Sequence, residues 1–380
     1  MIPKLPDELI IEILARLPVR SLLRFKCVSK SWLSLISSQQ FVETHLFNSK
    51  KNPNFTHHSV ILTCEGKLER SSIPSLLSND AVFYVLHSEF AYGSGENLAF
   101  VVGSCDGLIL LSCNDKDLFL FNPSTRIHKK LPRFGEKIKR GRRCSHGLGF
   151  DKSSGDYKVV GLYYTDKDLS EVKVKVYSSK NDRWKSDRWK TKTTVNRSNM
   201  RRVRGELGAF AHGKLHWICH SSSGRGSEWS VVYLDLETEE YGELQMPNYE
   251  ENELKCGGPV LGASEGNLFV LVVYPSSADM WIMVGGYEGS GNESWTKVVT
   301  LPYDGGLVYP PYVDGSVELP YADDFSAYAN RSPLYMLLLW CSSIVVFDGK
   351  GFTARSRQIR TDSRYYQADT YLESLVSPLG

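Results

Sequence analysis

The chain has 380 residues, 42% of them hydrophobic and 23% charged, with 45 Lys and Arg against 43 Asp and Glu. A formal net charge of +2 gives no general electrostatic reason to expect nucleic acid or a membrane surface as partner. The length accommodates two domains, or one large domain and a small module.

In residues 3–46, apolar residues recur at Leu9, Ile10, Ile13, Leu14 and Leu17, the i, i+3, i+4, i+7 spacing of a helix. Pro6 and Asp7 suit its first turn and Pro18 its end. Ser21 is placed to cap a second helix carrying Leu22, Leu23, Phe25 and Val28. Ser29 is placed to cap a third, carrying Trp32, Leu35 and Ile36. Three short helices cannot bury this much aliphatic surface among themselves. Each large side chain left wet forgoes about 1.5–3 kcal/mol. An apolar face is therefore left over to dock, either on the rest of the chain or on a partner, and periodicity does not choose between them.

The residues themselves are more specific. Leu5-Pro6-Asp7-Glu8-Leu9, Glu12-Ile13-Leu14, Arg16-Leu17-Pro18, Ser21-Leu22-Leu23-Arg24-Phe25, Val28-Ser29-Lys30-Ser31-Trp32 and Leu35-Ile36 match the F-box pattern nearly position for position, and the stretch resembles an F-box. The resemblance implies binding to the Skp-family adaptor of a cullin–RING ubiquitin ligase, and through it to the cullin and RING subunits. The positions it implies are Leu5, Pro6, Leu9, Ile13, Leu14, Leu17, Pro18, Leu22, Leu23, Phe25, Val28, Lys30, Trp32 and Leu35.

Eight cysteines are scattered without CxxC spacing, which suits free thiols in a reducing compartment. The N-terminus lacks a basic-then-apolar signal pattern, so the Asn-x-Ser/Thr sequons read as chance matches and the expected location is cytoplasmic, nuclear or both. The most apolar run, Leu334 to Phe347, is too short to span a bilayer.

Residues 47–57 form a junction, and from His58 the period becomes alternating. Val60–Leu62, Ala81–Val85 and Leu98–Val102 are strand candidates, and the polar stretch Glu65 to Asp80 reads as irregular. A recurring unit follows: a glycine turn, an apolar strand, a strand ending in an Asn or Asp turn, then a polar-aromatic strand. Comparable points lie near Phe121, Val176, Leu234, Met283 and Val346, roughly 50–60 residues apart, the period of a kelch-like blade. The alternative is an irregular set of sandwiches, but one repeating strand order fits radial closure better.

Phe121-Asn122-Pro123-Ser124-Thr125-Arg126, Gly147-Leu148-Gly149-Phe150-Asp151, Asp156-Tyr157-Lys158-Val159-Val160, Leu215-His216-Trp217 and Ser294-Trp295-Thr296-Lys297 resemble the plant F-box-associated domain. The type most resembled is the constitutive-defence regulator, which restrains immune receptors; the S-locus F-box type is more distant. The glycine-pair kelch signature is not present in every repeat. The expected fold is α+β: a three-helix F-box over 1–46, then an all-β kelch-like propeller of about six blades over 58–380. The resemblance implies that this domain holds a protein client for ubiquitination and is not itself catalytic.

Chemistry elsewhere is weaker. His212, His216 and His220 would make a metal face on a helix, but Gly213 and the surrounding residues read as strand, where residues eight apart are too distant for one ion. Gly262-Ala263-Ser264-Glu265-Gly266 fits G-x-S-x-G, but a strand rather than a helix follows it, so it reads as a hairpin turn rather than a hydrolase elbow. The glycine-rich run 285–291 lacks a phosphate-binding Lys-Ser/Thr. No metal, cofactor or catalytic set is expected; an enzyme or lectin built on a propeller with a helical cap, and a non-degradative adaptor-bound scaffold, are the alternatives.

Basic segments around Arg142 and Arg143 and around Arg201, Arg202 and Arg204, and an acidic segment from Asp235 to Glu253, read as solvated loops or as rims that steer a charged client. Those five arginines are the candidate client-binding residues. They fall in the polar inserts 133–145 and 180–205, which with 221–229, 248–256 and 303–330 are expected to be loops at a propeller face.

Overall fold

The structure, a computed structural model, describes residues 6–52, 56–64, 67–77, 83–86, 99–113, 117–133, 142–165, 168–188, 201–223, 226–249, 259–264, 266–274, 277–284, 294–302, 335–340, 343–348, 354–358 and 365–379. It divides into two compact units, Met1–Arg133 with Ser363–Gly380, and Phe134–Asp362.

The first unit opens with four helices rather than three. Pro6 precedes α1 (Asp7–Leu14), whose first turn carries Asp7 and Glu8. The helix stops at Leu14, and Pro18 serves the next one: its carbonyl accepts from Ser21 N and Leu22 N, opening α2 (Val19–Phe25). Ser21 therefore lies inside α2 and does not cap it; proline lacks an N–H and has a preset φ, so it begins the helix earlier. Ser29 caps α3 (Lys30–Ser37) as expected, its Oγ accepting from Trp32 N at 3.1 Å. Ser38 starts α4 (Gln39–Lys50), accepting from Phe41 N and donating to Leu35 O at 2.7 Å. The stripe α4 buries is Phe41, His45 and Ser49, two of them polar, so apolar periodicity does not reveal this helix. It carries the helical module past residue 46, into the stretch expected to be a junction.

Leu14, Ala15, Val19, Leu22, Ile36 and Phe41 form the helical core, and Leu375 completes it. Phe25 meets Trp32 edge-on, with 5.5 Å between ring centres.

The sheets of this unit are β1 (His58–Cys64), β2 (Lys67–Ser72) and β3 (Tyr84–Leu86) with β23 (Tyr365–Leu372), in the order β23-β1-β2-β3, and then β4 (Ala99–Cys105), β5 (Leu108–Cys113), β6 (Asp117–Asn122) and β7 (Ile127–Lys130) in chain order. The stretch 65–80, expected to be irregular, contains β2 and a short helix, α5 (Ile73–Leu77). Arg70 of β2 explains its polar composition: it pairs with Glu373 at 3.1 Å instead of packing an apolar side chain. Ile61, Val101, Ile109, Phe121 and Tyr371 lie in the core that the two sheets share.

In the second unit, β8 (Arg142–Asp151), β9 (Asp156–Thr165), β10 (Asp168–Ser178) and β11 (Arg183–Arg188) form one antiparallel meander. A second is built of β12 (Arg201–Ala211), β13 (Lys214–Ser223), β14 (Gly226–Asp235) and β15 (Tyr241–Gln245). Two parallel register pairs, Leu207 with His146 and Gly208 with Gly147, join β12 to β8 and make an eight-stranded sheet. Another meander holds β16 (Val260–Ser264), β17 (Asn267–Val273), β18 (Ser277–Val284) and β19 (Ser294–Pro302), and a three-stranded one holds β20 (Tyr335–Trp340), β21 (Ser343–Asp348) and β22 (Ala354–Gln358). Six meanders among the described residues match the expected blade number. Trp217, Leu215, Leu162 and Val174 pack the first of this unit's meanders on the second.

The repeat's Asn/Asp turns are locked by their own side chains. Asn122 Oδ1 accepts from Ser124 N and Thr125 N, and Asp235 Oδ1 from Glu237 N and Thr238 N. Phe121, Val176, Leu234 and Met283 all fall on the third strand of a four-stranded meander: β6, β10, β14 and β18. The inserts expected to be loops are in part strand: β11, the starts of β8 and β12, and the β13–β14 hairpin, where Ser223 pairs with Gly226. Residues 134–141, 189–200, 224–225, 250–256 and 303–330 of those inserts, and the glycine run 285–291, lie outside the described residues.

Candidate functional site

The fourteen positions on the helices separate by burial. Leu14 and Leu22, at 2% and 0% exposure, are core residues and cannot be part of a docking face in this conformation. Leu9 and Ile13, one turn apart on α1, are 46% and 53% exposed, and Val28 is 61% exposed. Pro6, Pro18 and Lys30 are exposed; Leu17, Leu23, Phe25, Trp32 and Leu35 are half-buried beside the core. Leu5 lies outside the described residues. Leu33, 47% exposed and absent from the expected set, adds to the apolar surface. Its spacing from Trp32 gave no cue, because neighbouring helical residues do not share a face. The module thus has an inward core completed by Leu375 and, apart from it, exposed apolar side chains at Leu9, Ile13, Val28 and Leu33.

The helices are tied to the first unit's sheets by polar contacts as well. Lys50 Nζ lies 2.5 Å from Asp106 Oδ1; burial lowers the lysine pKa, but the Asp106 charge and hydrogen bond outweigh it and the net shift is upward. His45 Nε2 lies 2.9 Å from Leu17 O, and its ring meets His57 edge-on at 5.4 Å. Burial, and then the charge of His45, push His57 down to about 4; burial, and then His57, push His58 to about 4.

The segment after β23 is gripped from several sides. Glu373 N donates to His57 O at 2.7 Å, and Glu373 Oε1 accepts from Ser59 Oγ and Arg70 Nη1. Ser374 Oγ donates to Asp106 O at 2.7 Å. Asn122 Nδ2 donates to both Ser374 O and Val376 O, at 3.0 and 2.7 Å. Gly107 has φ +87°, and a Cβ there would collide with Ser374 Oγ and Leu372 O.

The structure places the five candidate client arginines on strands. Arg142 and Arg143 begin β8; Arg201, Arg202 and Arg204 begin β12. The parallel pairing of these strands brings both segments to one end of the eight-stranded sheet. The acidic segment is partly neutralised by its own unit. Glu239 Oε2 holds Lys185 Nζ at 2.5 Å, and its other oxygen lies 4.0 Å from Lys158 Nζ.

The remaining candidates resolve into structural roles. His212 sits in the β12–β13 turn with φ +49°, while His216 and His220 lie along β13. Burial pushes His216 down to about 3, with its Nδ1 3.1 Å from Ala209 O, and His220 packs on Trp229. The G-x-S-x-G run is the expected hairpin: Ser264 pairs with Asn267, Gly266 has φ +79°, and strand β17 follows.

Comparison with known proteins agrees with both parts of this layout. Residues 2–44 match the F-box domain, and residues 75–317 match the F-box associated beta propeller domain. An F-box/kelch-repeat protein of Arabidopsis thaliana is 31% identical over 332 residues, covering 83% of this chain and 84% of the relative. F-box protein CPR1 of the same plant is 28% identical over 387 residues, covering 98% of this chain and 88% of the relative. Helices with exposed apolar side chains, meanders of propeller type and these matches lead to one conclusion: the chain belongs to the F-box proteins that carry an F-box associated beta propeller domain.

Proposed function

We propose that the chain is the non-catalytic substrate-receptor subunit of an SCF-type cullin–RING ubiquitin ligase, working in the cytoplasm, the nucleus or both. The exposed apolar side chains of the helices dock on a Skp-family adaptor, and the propeller domain holds a protein client. The observation that carries the reading is the exposure of the apolar residues Leu9, Ile13, Val28 and Leu33 in a module that matches the F-box. Burying such residues against a partner gives about 25 cal/mol per Å² of apolar surface removed from water. Held client lysines then react by proximity, because tethering raises their effective concentration at the ubiquitin donor. Immune receptor proteins are the client class that the resemblance to defence regulators implies.

The test is capture of a purified Skp-type adaptor by the full chain. Leu9→Asp with Ile13→Asp should abolish capture without lowering the thermal midpoint. Undiminished capture by that variant, or none by the unaltered chain, refutes the reading.

A further inference from the structure

We propose that the starting ends of β8 and β12 form one docking surface for an anionic peptide segment of the client. This rests on the substrate-receptor reading and adds the chemistry of what is received.

β8 and β12 are the two middle strands of the eight-stranded sheet. They run parallel, in register at Leu207 with His146 and Gly208 with Gly147. Parallel strands begin on the same side of a sheet, so Arg142 and Arg143 on one and Arg201, Arg202 and Arg204 on the other converge there. At a rise of about 3.3 Å per residue, all five backbone positions lie within roughly 10–20 Å of the joining pair. Two basic segments distant in sequence become one basic end.

Among the described residues, the strands place no carboxylate in register directly opposite these arginines. Along 142–146 and 201–207 the one carboxylate is Glu206. The residues in register opposite the arginines are Thr165 and Tyr164 on β9, and Ser221, His220 and Ile218 on β13. None is acidic, although an opposite charge directly across is the ordinary way a sheet compensates such a row. Asp168 and Glu228 stand one strand further out, opposite Thr165 and Ser221. Five guanidinium groups suit oxygen anions, since each offers a planar fork that fits carboxylate or phosphate in a bidentate way. The receptor reading makes a protein the client, so a peptide is the occupant; Tyr164, in register opposite Arg143, and Trp229, packed on the His220 that stands opposite Arg202, make single-stranded nucleic acid the competitor to test.

The experiment is fluorescence anisotropy on the full chain with a labelled Glu–Ser repeat peptide, its phosphoserine counterpart, a Lys–Ser repeat and a single-stranded RNA. The acidic peptide should bind at low salt and weaken as salt rises. Arg142→Glu with Arg143→Glu, and separately the triple reversal at Arg201, Arg202 and Arg204, should each weaken it at least about tenfold, because both segments belong to one surface. If a reversal lowers the thermal midpoint, the matching Arg→Gln set is read instead and the same loss is expected. Tighter binding of the phosphoserine peptide assigns a phosphorylated segment, and equal binding assigns a plainly acidic one; both support the surface. Loss from one set alone overturns the shared surface. Binding indifferent to both sets, equal binding of the Lys–Ser peptide, or tighter binding of RNA overturns the proposal. Adaptor capture measured on the same samples keeps this result separate from the receptor reading.

Discussion

Leu375 and Leu22 lie in one apolar core although they come from opposite ends of the described chain. The helical module is therefore not an independent bead on a linker; its inner face is completed by the segment that follows β23. Replacing Leu375 with Ala should cost about 2–5 kcal/mol locally. Hydrogen exchange should speed up in α1–α4 before it does in the sheets of the second unit. Uniform acceleration, or none, would show that Leu375 does not hold the helices. For the same reason, a chain starting at residue 58 should fold its sheets but expose Leu375, and Leu375→Ser in that chain should raise its solubility.

The burial split on the helices predicts opposite phenotypes for neighbouring leucines. Leu9→Ala with Ile13→Ala should leave stability within about 0.5 kcal/mol while weakening adaptor capture. Leu14→Ala should lower stability by about 2–5 kcal/mol, through the cavity it leaves. Denaturant midpoints of the two variants, measured beside capture, check the division.

Asn122 is the polar counterpart of Leu375. Its amide donates to two carbonyls of the 374–376 segment while its oxygen holds the turn to Ser124 and Thr125. Asn122→Asp keeps the turn acceptor but faces a carboxylate oxygen toward two carbonyl oxygens. Asp should therefore destabilise more than Ala, which loses about 1–3 kcal/mol for the stranded buried groups. Thermal midpoints in the reverse order would argue against the double donation.

The junction histidines give the stability a pH dependence of definite sign. His57 and His58 have folded pKa values of about 4, below the ordinary 6.5. Between these values the unfolded chain binds more protons than the folded one, so stability is complete above about pH 6.5 and falls as pH drops toward 4. His146 and His216, also held low by burial, contribute in the same direction from the second unit. His57→Gln with His58→Gln should flatten the fall seen by hydrogen exchange in α4 and β1 while leaving that in β8 and β13. An unchanged slope in α4 and β1 would mean the two rings titrate normally.

Much of this was legible in the sequence because local chemistry decides it. Ser29 is a cap wherever it stands before Trp32, the Asn122 and Asp235 turns bond to themselves, and a Gly266 hairpin needs only its own backbone. What escaped depends on tertiary contact. α4 buries Phe41, His45 and Ser49, a stripe whose polar members are satisfied or covered only in the fold. Leu14 and Leu9 belong to one apolar helical pattern, and only packing with Leu375 tells the buried one from the exposed one. The arginines at 142–143 and 201–204 read as two separate loops until a two-residue parallel pairing brings them to one end of a sheet.

The pairing of β1 with β23 also sets an order on synthesis. β1 leaves the ribosome with an open edge, and the helices leave it with an unfilled core, while residues 365–376 are still to be added. At about 5–20 residues per second that interval lasts roughly 15–60 s. An unpaired strand edge is a template for aggregation throughout it. A message cut short before these codons yields a chain whose first sheet and helical core both stay open, so the same twelve residues close two separate parts of the first unit.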